Sequence, residues 1–154
     1  MEGLGTSLKL RIKVQSIRAA LCGTAIYDLY AGWNMIGVPM ELTPPSKAYL
    51  LGKNLLCLDA LNGCYEQVTN IVPGKAYWIF SEVADTFDLD GMIIQDATMN
   101  LETGWNFVGP TVDTTLSVDE YVVWEWKPEG YRLPEVVNGQ YQLLATKGYW
   151  ILAP

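Results

Sequence analysis

The sequence repeats itself. Leu29, Gly32, Trp33, Asn34 and Gly37 recur as Leu101, Gly104, Trp105, Asn106 and Gly109, each 72 positions later. The same offset carries Lys75, Tyr77, Trp78 and Ile79 onto Lys147, Tyr149, Trp150 and Ile151. Two separated blocks sharing one displacement mark an internal duplication, so the fold must offer equivalent places to matching residues. Between the blocks one short gap is needed. Leu55-Leu56-Cys57-Leu58 then lies over Val123-Trp124-Glu125-Trp126, Gly63 over Gly130 and Tyr65 over Tyr131.

Each copy reads as a series of short elements. A strand ending in Gly-Trp-Asn covers 25–38 in copy one and 97–109 in copy two. After a Pro-rich or Thr-rich link, Ser46 is placed to cap a helical turn running to Leu51 and closed by Gly52, with a counterpart near Ser117. Strands follow at 54–59 and 121–126, where alternation puts residues 56 and 58, like 124 and 126, on one face. A turn holding Asn62-Gly63 or Pro128-Glu129-Gly130 leads to a strand from Tyr65 or Tyr131. Lys-x-Tyr-Trp-Ile, rich in strand-favouring residues, closes the copy. Before copy one, residues 7–15 alternate Leu8, Leu10, Ile12 and Val14 with Lys9, Arg11, Lys13 and Gln15, the pattern of a half-buried strand with a basic outer face. Residues 87–94 hold the matching place before copy two. The expectation is a mostly β protein: a pseudo-twofold, duplicated sandwich or barrel-like domain with short helical turns. Its parts are a basic edge strand (1–24), copy one (25–84), an acidic connecting strand or loop (85–96) and copy two (97–154), packed as one unit.

The order Gly-Trp-Asn, an apolar strand, Gly-Tyr and Lys-Gly-Tyr-Trp-Ile resembles the small tandem β repeats of large secreted and cell-surface proteins of bacteria and archaea. Copy one supplies Gly32-Trp33-Asn34 and Pro73-Gly74-Lys75-Ala76-Tyr77-Trp78, and copy two supplies Gly104-Trp105-Asn106 and Lys147-Gly148-Tyr149-Trp150. Copy one departs from that pattern by carrying Leu56 and Leu58 where a Trp pair is usual. The resemblance implies an accessory β module without a catalytic residue set, at a cell surface or outside the cell. The chain as it stands shows no export signal, which by itself points to the cytoplasm.

Composition limits the partners. The net charge of −7 disfavours nucleic acid, whose phosphates need Lys and Arg to neutralise them. Residues 1–18 hold four of the ten basic side chains and one of the seventeen acidic ones, so the rest carries 6 basic and 16 acidic groups, a balance of −10. No stretch approaches the roughly 20 apolar residues of a membrane-spanning helix. Three cysteines, Cys22, Cys57 and Cys64, lack metal-binding spacing; Cys57 and Cys64 flank a turn and are read as buried apolar side chains, with a cross-hairpin bridge as the alternative.

The sequence contains no histidine, which removes histidine triads, histidine metal ligands and the commonest general base. Asp85, Asp88, Asp90 and Gly91 suggest part of a calcium loop, but with Gly91 sixth the first and twelfth positions fall on Thr86 and Ala97. An acidic connection between copies fits better, and no cofactor or metal is expected. Glu125, Glu129 and Glu135 beside Trp124 and Trp126 raise a glycosidase carboxylate pair as a third reading. The leading expectation is a non-catalytic interaction or structural module with a protein partner, self-association through the basic strand included. The alternative is a carbohydrate-binding module that uses exposed aromatics on a polysaccharide. Apolar character kept in both copies assigns Trp33, Trp78, Trp105 and Trp150 to the core. The candidate binding residues are the unduplicated tyrosines Tyr30, Tyr49, Tyr121 and Tyr141, together with Trp124 and Trp126.

Overall fold

A computed structural model describes residues 21–59, 61–96 and 98–154. The expected basic strand at 7–15 lies outside them. The described chain is mostly β, with fourteen strands and one helix. In order these are β1 (Cys22–Leu29), β2 (Gly32–Gly37), β3 (Met40–Leu42), α1 (Pro44–Leu51), β4 (Leu56–Leu58), β5 (Tyr65–Gln67), β6 (Ala76–Ser81) and β7 (Asp85–Ile93). Copy two continues with β8 (Gly104–Val108), β9 (Thr114–Ser117), β10 (Val122–Lys127), β11 (Gly130–Arg132), β12 (Val136–Val137), β13 (Gln140–Leu143) and β14 (Tyr149–Ala153).

The strands form four antiparallel sheets, and two of them have the same internal order. Copy one forms β2-β6-β4-β5 and copy two forms β8-β14-β10-β11, each strand matching its sequence counterpart. The motif residues explain why. Gly32 and Gly104 adopt φ +100° and +99°, a region closed to most side chains. Asn34 then clamps the turn: its amide oxygen accepts from the Tyr30 N–H and its amide nitrogen donates to the Tyr30 and Gly32 carbonyls. Asn106 does the same with Glu102 and Gly104. This turn divides the single strand expected at 25–38 into β1 and β2, and in copy two strand pairing starts at Gly104.

The flanking sheets differ. Copy one is backed by β1-β7-β3 and α1, whereas copy two is backed by its own hairpin in β12-β13-β9. Thr43, not Ser46, caps α1, because Pro44 and Pro45 open the helix and the Thr43 hydroxyl accepts from the Ser46 N–H. The Ser46 hydroxyl is turned to the Asp90 N–H at 2.9 Å. The helix has eight residues and extends beyond the single turn expected. The segment read as an acidic connection is β7, the central strand between β1 and β3, so its carboxylates alternate along an extended backbone and do not encircle a point.

Buried side chains collect in two cores. One joins Tyr27, Ile36, Leu55, Tyr77, Ile79, Phe87 and Leu89; the other joins Val123, Tyr141, Leu143, Tyr149 and Ile151. Across the boundary the copies cross almost symmetrically. The Gly37 N–H donates to the Thr146 carbonyl and the Gly109 N–H to the Gly74 carbonyl, both at 3.1 Å, and these pairs are exact sequence equivalents. Isolated bridges join Ile36 to Lys147 and Lys75 to Val108, again equivalent. The backbones meet so closely that a Cβ on Gly109 would lie 2.5 Å from the Gly37 Cα. The duplicated glycines are therefore required by backbone approach.

Candidate functional site

Strand alternation divides each repeated sheet into a core face and an outer face. In β6, Tyr77 and Ile79 enter the first core, so Trp78 and Phe80 point the other way. In β14, Tyr149 and Ile151 enter the second core and Trp150 faces outward. Register then aligns Trp33 with Phe80, Phe107 and Trp124 with Trp150, and Trp126 with Tyr131. The outer faces meet in a continuous run of rings. Phe107 stacks on Trp78 at 6.1 Å and on Trp150 at 4.8 Å, and Trp126 packs edge-on against Trp78 at 5.3 Å and Tyr131 at 5.0 Å. Each such pair contributes about 0.5–1.5 kcal/mol beyond its buried area. The Trp126 indole also donates to the Trp33 carbonyl at 2.8 Å, tying the copies together.

These rings are only partly covered. Trp78 is buried, but Trp33 is 42 % and Trp105 52 % exposed, with Tyr65, Phe80 and Tyr131 exposed between 45 % and 50 %. This corrects the assignment of Trp33 and Trp105 to the core, while Trp78 is buried and Trp150 half-buried. Apolar character is kept at Trp33 and Trp105 because both copies share one outer face. Their surroundings match: Trp33 meets Trp78 at 6.3 Å and 86°, and Trp105 meets Trp150 at 6.4 Å and 85°.

Two depressions open on this face. The smaller, about 280 Å³, is lined by Trp33, Leu56, Tyr65, Trp78, Trp126 and Tyr131. The larger, about 730 Å³, is lined by Leu58, Gly63, Trp105, Trp124, Tyr131 and Trp150. Under the repeat alignment they correspond almost residue for residue. Trp33, Leu56, Tyr65 and Trp78 match Trp105, Trp124, Tyr131 and Trp150, and Trp126 and Leu58 cross over from the opposite copy. They adjoin at Tyr131, whose phenol is raised above its ordinary value by burial and by the neighbouring Tyr65 phenol, against the opposing pull of a hydrogen bond with Trp150. The buried Trp78 indole N–H has no hydrogen-bond partner. Trp105 also walls a cleft of about 550 Å³ that carries Asp96, Asn100 and Glu102.

Of the residues predicted as binding candidates, Trp124 and Trp126 line the larger and the smaller depression. Tyr30 lies apart, with the Lys127 and Lys147 ammonium groups 6.0 and 5.8 Å from its ring centre. Burial, with Lys127 adding to it, lowers the Lys147 pKa, against the pull of Glu125 and Asp28. Tyr49 sits on α1 against Phe87, with Lys53 over its ring. Tyr121 packs on the second core. Tyr141 is buried within that core, contrary to the surface role expected of it, because the β12-β13 hairpin supplies the wall that α1, β1 and β7 supply in copy one. Sequence reasoning missed Trp33, Trp105, Tyr65 and Tyr131. Their duplication was visible, but it does not reveal which face of a strand is covered.

The acids do not converge. Glu125 pairs with Lys127 at 3.6 Å and Glu129 with Arg132 at 3.8 Å. Among the described residues no group of three or more His, Cys, Asp or Glu side chains is placed to hold a metal ion. Cys57 lies opposite Glu66 in the β4–β5 register, so Cys57 and Cys64 are not bridged; Cys64 is exposed and Cys57 half-buried, which corrects the reading of both as buried. No described helix is long and apolar enough to cross a membrane. Comparison with protein-family models, characterised proteins and solved structures finds no match to the chain. Fold and site together define the class: a duplicated, mostly β protein with an open aromatic face.

Proposed function

We propose that this protein is a non-catalytic module that binds a neutral carbohydrate on its aromatic face. The observation that carries the reading is the exposure of Trp33 and Trp105, two equivalent indole planes at the rims of two aromatic depressions. A pyranose ring has an apolar C–H face that stacks on such a plane, and a few polar groups then fix its hydroxyls. The exposed Tyr65 and Tyr131 phenols supply those groups. The depressions are lined by no Asp, Glu, Lys or Arg, which suits an uncharged ligand. The self-association reading rests on residues 7–15, outside the described structure.

The test is affinity electrophoresis through gels containing neutral β-glucans, xylan, mannan or galactomannan. At least one polymer is expected to retard the protein, and Trp105→Ala to remove the retardation. Unchanged mobility in every polymer would overturn the proposal.

A further inference from the structure

We infer that the two depressions are consecutive subsites for one polysaccharide chain that crosses the pseudo-twofold boundary at Tyr65 and Tyr131. The inference rests on the carbohydrate reading above and adds the ligand's form: a polymer of repeating neutral units, long enough to occupy both depressions.

Three observations carry it. The depressions are built from equivalent residues, so they offer one kind of contact twice, and a ligand that repeats can use both. They adjoin, since Tyr131 lines each of them, so one chain can pass from one to the other across that ring. Each is completed by a residue from the opposite copy: Trp126 of copy two closes the smaller and Leu58 of copy one closes the larger. Neither copy alone would hold a complete site, and the Gly37–Gly109 crossing holds the two copies at backbone contact. Charge selects the class of polymer. The chain carries −7 overall and the linings contribute no Asp, Glu, Lys or Arg, so an acidic polymer finds repulsion and no ion pair.

The subsites are equivalent in plan but differ in volume, about 280 Å³ against about 730 Å³. An indole closes the smaller subsite where Leu58 leaves the larger one wide. The smaller therefore grips one unit more closely, and the larger adds affinity once the same chain reaches it, because the second contact is intramolecular.

The experiment uses the full chain and the β-1,4-linked gluco-, xylo- and manno-oligosaccharides of two to six units. Affinity is followed by calorimetry and contacts by the six Trp indole N–H signals in NMR. In the series that binds, the longest oligomer is expected to bind one per protein and about tenfold or more tighter than the disaccharide. It should move the Trp33 and Trp105 signals together. Trp33→Ala should return the long oligomer to disaccharide-like affinity while Trp105 still responds, and Trp105→Ala should do the converse. Because both side chains are exposed, the variants are expected to keep the wild-type unfolding midpoint within a few degrees, which a thermal scan checks.

Equal affinity for short and long oligomers, with only one of the two signals moving, overturns the two-subsite inference and leaves carbohydrate binding standing. Failure of every series to move any indole signal, together with free mobility in the gels, overturns the carbohydrate reading itself. Displacement of the indole signals by a proline-rich peptide, with no response to any sugar, assigns the face to extended peptides and overturns both.

Discussion

The two copies keep the same four-stranded sheet but back it differently. Copy one leans on β1, β7 and α1; copy two folds its own β12-β13 hairpin into that place. What stayed the same is what backbone geometry dictates: the positive-φ glycine, the asparagine clamp, the tyrosine hydroxyl and the crossing glycine. What changed is the apolar packing, which many side-chain combinations satisfy provided volume and patterning are kept. The comparison separates residues that fix the chain's path from residues that fill space, and the aromatic face belongs to neither group.

The largest effect is expected where both copies meet. Gly109→Ala puts a Cβ 2.5 Å from the Gly37 Cα, with backbone on every near side, so the crossing must open. A loss of about 3 kcal/mol is expected from overpacking of this kind, read by urea unfolding. A neutral substitution would mean that the copies do not cross there.

Next comes the matched tyrosine pair. Tyr77 accepts from the Val72 N–H at 2.7 Å and Tyr149 from the Leu144 N–H at 2.8 Å. Tyr77→Phe and Tyr149→Phe should each cost about 1–2 kcal/mol by leaving a backbone donor unpaired, and the two losses should agree. Unequal losses would break the equivalence. The same buried phenols, with Tyr27, predict alkaline sensitivity. Burial raises all three pKa values above the ordinary 10.0. Their stabilising contribution is therefore complete below about pH 10 and falls as pH rises and the unfolded chain ionises first. The loss per phenol is at most about 1.4 kcal/mol per pH unit, so Tyr149→Phe should flatten the alkaline slope in a pH series of denaturation curves.

The sequence carried more of the path than of the packing. The repeat offset predicts two equivalent halves, and two sheets of one order follow. The Gly-x-Asn turn is set by a local positive φ and an amide clamp, yet strand patterning alone runs through it as one strand over 25–38. The Thr43 cap was hidden by Ser46, which satisfies the same rule three residues on and is used by Asp90 instead. Tyr141 has no counterpart in copy one, which suggests freedom from the core, whereas the hairpin that carries it takes the place of a helix and buries it. Trp33 and Trp105 show the deeper reason: alternation tells which residues share a face, but only the tertiary arrangement tells whether that face is covered.

A finer contrast lies in the clamps. Asn34 is buried, whereas Asn106 is partly exposed. Asn34→Ala should cost about 1.5 kcal/mol and Asn106→Ala about 1 kcal/mol, since water can replace part of what Asn106 supplies. Thermal or urea unfolding of the two variants side by side would show the order, and a reversed order would place the more enclosed turn in copy two.

The central claim is that the duplicated tryptophans Trp33 and Trp105 form a surface. Urea unfolding of the Trp33→Ala/Trp105→Ala variant tests it directly. The expected result is one cooperative transition with no more than about 2 kcal/mol lost for the pair, because the rings already face solvent. A loss above about 4 kcal/mol, or loss of cooperativity, is what removal of core aromatics produces, and it would return both rings to the interior.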